Sequence, residues 1–379
     1  MLALPPLGLY IHIPWCVRKC PYCDFNSHRA PTALPEADYV DALLRDLALD
    51  APLLQSRPVD SIFIGGGTPS LFSAEAIASL MRGVGNLVTI APEAEITLEA
   101  NPGTVEAERF AAFRRTGINR LSLGIQSFSD AALQRLGRIH DAQQARVAVA
   151  VARDAGFDNI NLDLMHGLPG QSEAQALADL EEGLSLAPEH LSWYQLTLEP
   201  NTEFYRRPPT LPDDDTVHEI QAAGQGLLAA AGYGRYEVSA YGRPGRESRH
   251  NLNYWQFGDY LGIGAGAHGK ITDLKGGSIY RLRKYRQPDH YRQQTINFTA
   301  ERLAVAAHDL PLEFLLNAFR LTGGFHQSLF EARTGLAFGS IGKRIEYLAG
   351  KGLLTWRGGH VAPTTEGQLF VNNLLEEFL

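Results

Sequence analysis

Short runs of apolar residues recur through the first 200 residues, each closing on a polar or glycine-rich loop and followed by helical periodicity. Residues 9–13 read as a strand, followed by a cysteine-bearing loop and an amphipathic helix over 36–50. Residues 61–64 end in Gly65-Gly66-Gly67-Thr68-Pro69, with a helix after Ser73. Residues 95–98 end in Glu99-Ala100-Asn101-Pro102-Gly103, then a helix runs through Phe113. Residues 120–125 end in Gln126-Ser127-Phe128 with two helical stretches behind them. Residues 159–164 end in Met165-His166-Gly167, and 191–196 lead to Glu199-Pro200-Asn201. Strands alternating with helices predict an α/β fold with a parallel sheet. Six such units predict a partial or full (β/α) barrel, with chemistry at the C-terminal ends of the strands.

After about residue 233 the rhythm breaks. Residues 233–241 suit one more strand, and 250–269 read as a loop region rich in glycine and aromatics. From about residue 300 the chain reads as helical and then as a small α+β unit of winged-helix character. That unit has a helix over 341–349, a hairpin of 353–356 with 360–362, and a terminal helix over 366–379. The predicted organisation is 1–235 for the barrel core, 236–300 for a sheet extension with loops, and 301–379 for the C-terminal unit.

Composition narrows the function. Charged residues are 20% and the formal charge is −8, which argues against a protein held on nucleic acid by a general basic field. Lys343, Arg344, Lys351 and Arg357 read as a solvated face for the same reason. No apolar run is long enough to span a membrane, and Met1 to Ile13 lack the basic start of a secretory signal, so a cytoplasmic location is expected.

The chain has three cysteines, Cys16, Cys20 and Cys23, all within eight residues. An odd, clustered trio is no disulfide framework; it predicts metal or redox chemistry. Tetrahedral zinc would need a fourth ligand such as His12 or His28, and an electron-transfer iron–sulfur cluster ordinarily uses four cysteines. A three-thiolate cube instead leaves one iron open to a ligand.

Cys16-x-x-x-Cys20-x-Tyr22-Cys23 resembles the signature of the radical S-adenosylmethionine superfamily, and the chain is similar to its coproporphyrinogen III oxidase-like branch along its whole length. Within that branch it looks most like the haem chaperones. The resemblance implies a radical-SAM-type partial (β/α)6 barrel carrying a [4Fe–4S] cluster on Cys16, Cys20 and Cys23. It further implies an S-adenosylmethionine site lined by Tyr10, Tyr22, Gly66, Gly67, Thr68, Glu99, Gln126, Arg138 and Asp163. In these roles the glycines let main-chain N–H groups approach a carboxylate, Glu99 and Gln126 bond a ribose or amino group, Arg138 pairs a carboxylate, and Asp163 accepts a hydroxyl.

Two departures set the chain apart from the oxidase. Phe25 stands where the oxidase has a fourth motif cysteine, and only fifteen residues precede Cys16. The motif His250-Asn251-Leu252-Asn253-Tyr254-Trp255 resembles the haem-binding motif of the chaperones, with His250 as the implied iron ligand, Asn251 and Tyr254 orienting the ring or a propionate, and His268 as a rival ligand. The basic segment Tyr280 to Arg286 reads as a solvated strand edge, with haem propionates or an anionic membrane surface as the other reading. The implied function is therefore haem binding and delivery to acceptor haemoproteins, membrane respiratory enzymes among them, from the cytoplasm or the inner face of the membrane. A homodimer is compatible with it and nucleic acid plays no part. The alternative is an oxygen-independent coproporphyrinogen oxidase.

Overall fold

The computed structural model describes residues 1–104 and 107–379. Six strands, β1 (Leu7–Ile13), β2 (Val59–Gly66), β3 (Ile90–Ala100), β4 (Arg120–Gln126), β5 (Ile160–His166) and β6 (His190–Gln195), lie side by side in chain order, every neighbouring pair parallel. Helices such as Glu36–Asp50, Ala74–Leu87 and Glu173–Ser185 make the crossovers. The strands are buried nearly end to end, as in β1, where only Tyr10 is partly exposed. That is why they read as apolar runs instead of alternating ones. The expected helix through Phe113 is described from Ala107 to Arg115; residues 105 and 106 lie outside the described residues.

The sheet does not stop at six strands. β7 (Asp259–Ile263) inserts parallel to β1 on the side away from β2. β8 (His268–Asp273), β9 (Ser278–Lys284) and β10 (Thr299–Ala304) continue it antiparallel. At the far edge, Gly234–Arg235 and Ala240–Gly242 form an antiparallel pair on β6 where one strand over 233–241 was expected. The whole is a twelve-stranded sheet.

Three expectations are corrected here. Residues 250–269 are not loop: a helix, Arg249–Trp255, is capped by the Ser248 side chain, and β7 and the start of β8 follow. The charge at the head of β7 masked it. Asp259 is fully buried, with Lys270 Nζ at 2.8 Å and Arg57 Nη1 at 2.8 Å, so it is no solvent signal. Residues 299–304 form the edge strand, and the helical stretch begins at Leu310. The basic segment is not an edge, because β9 is flanked by β8 and β10. Three of its cations turn to carboxylates: Arg281 to Glu313, Arg283 to Glu301 at 3.3 Å, and Lys284 to Asp46 and Asp50.

The C-terminal unit has its own apolar cluster around Phe314, Phe330, Phe338 and Ile345. Helix Gly339–Gly350 precedes the hairpin Leu354–Arg357 with His360–Pro363. The terminal helix is interrupted at Phe370 and becomes Thr365–Leu369 and Val371–Glu376. Among the described residues no helix is long and apolar enough to cross a membrane.

Candidate cofactor site

A cavity of about 460 Å³ opens where β1 to β6 end, within the ~300–1,000 Å³ span of ligand clefts. The cysteine loop forms one wall; Gly66 to Thr68, Glu99, Gln126, Arg138, Asp163 and Tyr194 form the others. The loop is held by a two-strand ribbon, Trp15–Cys16 with His28–Arg29, and by the Asn26 side chain, which donates to the carbonyls of Ala265 (2.8 Å) and Arg286 (2.9 Å). All three cysteines are free and partly exposed, and burial pushes Cys16 up to about 11. Binding a metal there must therefore release protons.

The donor set fits a cube better than a single ion. Among the described residues no three His, Cys, Asp or Glu side chains converge on one metal ion, whereas each thiolate of a cube holds a different iron. The fourth ligand zinc would need is also committed elsewhere. His12 bonds the Tyr10 hydroxyl (2.7 Å) and the Asn26 carbonyl (2.9 Å), and His28 faces Asn26 Oδ1 at 3.3 Å. Arg138 lies across the mouth, with Nη2 donating to Gly124 O at 2.7 Å and Nη1 to Cys20 Sγ at 3.7 Å. Its Nε is buried with no hydrogen-bond partner, so the guanidinium keeps capacity for a bound anion.

The glycine loop does something other than expected. Gly66 N–H donates to the Glu99 carboxylate at 3.0 Å, Gly67 N–H to Ile13 O and Thr68 N–H to Trp15 O, both at 2.8 Å. These amides are already committed, and the glycines serve close packing. Gly66 has φ +118°, and a Cβ there would sit 2.6 Å from the His12 ring; a Cβ on Gly67 would sit 2.5 Å from the Trp15 carbonyl. Gln126 holds a left-handed φ of 71°, a strain of ~1–3 kcal/mol for a non-glycine residue, and accepts from the Tyr194 hydroxyl at 2.8 Å.

Glu99 and Asp163 face the same space. Asp163 accepts from Ser122 Oγ (3.0 Å) and Asn161 Nδ2 (2.8 Å). Burial, then the neighbouring Asp163, push Glu99 up to about 8, against the pull of the Gly66 N–H. A carboxyl raised from 4.5 contributes stability that is full below pH 4.5 and lost as pH rises to about 8. Glu99→Gln should flatten that dependence. In the metal-free protein, the wild-type urea midpoint should fall relative to the variant between pH 5 and pH 8, at a slope on the order of 1.4 kcal/mol per pH unit. Parallel curves would show that Glu99 is ionised throughout.

Residues implied for haem are split, and of the two tyrosines implied for S-adenosylmethionine only one lines the first cavity. Tyr10 and Tyr254 line a second cavity of about 570 Å³, which shares Asp24, Phe25, Gly66 and Glu99 with the first; Tyr22 stays in the first. His250 and Asn251 line neither. His250 is 9% exposed; its Nδ1 meets Ser248 Oγ (2.8 Å) and Glu95 Oε1 (3.2 Å), and its ring lies 4.2 Å from that of Phe63. Asn251 Nδ2 donates to the Tyr236 hydroxyl at 3.3 Å. Ser122, Ser192 and Tyr194 were missed as wall residues. Their signal is register: Glu99 stands beside Ser122, and Asp163 beside Ser192, as polar interruptions in apolar strands.

Residues 10–182 match the radical SAM superfamily and residues 305–370 the HemN C-terminal domain. The heme chaperone HemW of Escherichia coli K12 is 52% identical over 379 residues, covering all of both chains. That of Haemophilus influenzae is 50% identical over 383 residues, covering 100% of this chain and 99% of its own. The coproporphyrinogen III oxidase HemN structure from Escherichia coli superposes with a TM-score of 0.83 at 24% identity, over 99% of this chain and 90% of that one, a likeness of fold. The superfamily implies a [4Fe–4S] cluster and S-adenosylmethionine, which the thiol trio and its cavity fit. The chain belongs to the radical SAM superfamily and, within it, to the family of the heme chaperone HemW.

Proposed function

We propose that the protein binds haem and hands it to acceptor haemoproteins, with the cluster and S-adenosylmethionine held in the adjoining cavity. The full-length likeness to relatives named heme chaperones supports the reading, and the observation that carries it is the second cavity. A carrier needs a seat for a large aromatic ligand that opens to solvent, so that the cargo can leave. Phe25 is 58% exposed and lies between the two cavities, where the oxidase has its fourth cysteine.

Cys16, Cys20 and Cys23 would hold three irons of the cluster, whose fourth iron supplies an open position for the methionine end of S-adenosylmethionine. Around it this chain's groups bind and orient. Arg138 offers its charge and free Nε to an anion, and Asp163 and Glu99 offer carboxyl groups to hydroxyl or ammonium donors. The raised Glu99 holds a proton near neutrality that it can release to solvent when a cationic group binds beside it and stabilises the carboxylate. Acceptors reached in the cytoplasm or at the inner face of the membrane, respiratory enzymes among them, belong to the same reading.

The test is transfer. Haem-loaded protein mixed with an apo-haemoprotein should convert the acceptor's spectrum to its holo form while its own bound haem declines. Failure of the wild type to bind haem, or formation of protoporphyrinogen from coproporphyrinogen III under anaerobic reduction with S-adenosylmethionine, would overturn it.

A further inference from the structure

We infer that haem sits in the second cavity with His268, not His250, as the iron ligand and Arg286 as the partner of a propionate. The inference rests on the proposed haem binding and assigns its seat. His250 is set aside by its place, not its bonding: it is buried, packed on Phe63 and lines neither cavity, while only its Nδ1 is engaged, by Ser248 and Glu95. His268, the first residue of β8, lines the second cavity, is exposed, and has no hydrogen bond to its ring among the described residues. The other histidine of this cavity, His12, has both ring nitrogens occupied.

The walls suit a flat, apolar, anionic ligand. Tyr254 and Tyr260 meet edge to face with ring centroids 4.7 Å apart, and Tyr10 and Phe63 stack at 6.1 Å. Trp255 lines the cavity with its indole Nε1 buried and unpartnered, a donor left for a ligand. Arg286, also in the lining, is the one cation of the segment 280–286 with no carboxylate partner among the described residues. An exposed guanidinium beside an aromatic slot is what a carboxylate-bearing macrocycle requires. The motif of residues 250–255 thus contributes through its second half, Tyr254 and Trp255, while His250 secures the helix.

The test is a haem titration of full-length wild type, His268→Ala, Arg286→Ala and His250→Gln, read by Soret absorbance and electron paramagnetic resonance. His268→Ala should lose the imidazole-ligated spectrum and at least tenfold in affinity, and millimolar imidazole should restore the spectrum. Arg286→Ala should weaken affinity severalfold with the ligand spectrum kept. His250→Gln should keep the spectrum, with its urea midpoint measured alongside to report any loss of fold. A His268→Ala protein with wild-type spectrum and affinity would overturn the inference and leave haem binding standing. So would a folded His250→Gln protein that has lost the imidazole spectrum. A wild type that binds no haem would bring down both the seat and the proposed function.

Discussion

Cys20→Ser protein, reconstituted anaerobically with iron and sulfide, is expected to hold only background iron and to lack the broad visible absorbance of a cluster. The reason is donor chemistry. A thiolate is a soft, readily formed iron ligand, whereas a serine hydroxyl does not ionise near neutral pH. Cys20 also faces Arg138, whose Nη1 lies 3.7 Å from its sulfur, so the site is electrostatically suited to a thiolate. Affinity for S-adenosylmethionine should fall at least a hundredfold with the cluster, because the open iron goes with it. Fold stability should barely move, by less than about 0.5 kcal/mol, since the residue is half-exposed in a loop and the exchange is nearly isosteric. Iron content equal to the wild type would remove Cys20 from the ligand set, and a collapsed urea midpoint would make the loss one of folding.

Lys284→Ala should give the largest stability loss, about 3–5 kcal/mol, the range for stranding a buried charge. Lys284 is 2% exposed on β9 and reaches across to helix Glu36–Asp50, with Nζ at 2.5 Å from Asp46 Oδ1 and 2.6 Å from Asp50 Oδ2. Asp46 also accepts from the Tyr291 hydroxyl at 2.6 Å. Even with its lysine, burial pushes Asp46 up to about 6, so an uncompensated carboxylate there is costly. The deficit should grow as pH rises above about 6, because Asp46 without its lysine keeps its proton to higher pH than in the wild type, and it should level off below 6. Replacing both charges, as in Lys284→Met with Asp46→Leu, should recover part of the loss, because no buried ion is left alone. Urea midpoints of the single and double variants across pH 5–8 decide it; a single variant within 1 kcal/mol of wild type would show that water reaches this pair.

The core of the barrel was readable because strands buried on both faces must be apolar along their length, and the polar residues of the site interrupt them: Gly66, Glu99 and Gln126 at or next to the strand ends, Asp163 in mid-strand. The cysteine trio was readable from spacing alone. A sheet extension was expected over 236–300, but its elements between residues 249 and 304 were not readable, because their cues are paired far away in sequence. Asp259 looks like a solvent-facing break until Lys270 and Arg57 are placed against it, and Lys284 looks exposed until Asp46, 238 residues earlier, is seen beneath it. The setting of His250 was hidden for the same reason: its partner Glu95 lies 155 residues upstream. Which glycine amides are free is likewise a matter of approach distances that no linear pattern records.

β7 lies against β1, and Asn26 in the cysteine loop hangs from the carbonyls of Ala265 and Arg286. In synthesis the thiols precede by some 260 residues the last part of the platform that fixes their loop. A nascent chain stalled before that point presents three untethered thiols to whatever oxidant or stray metal arrives first.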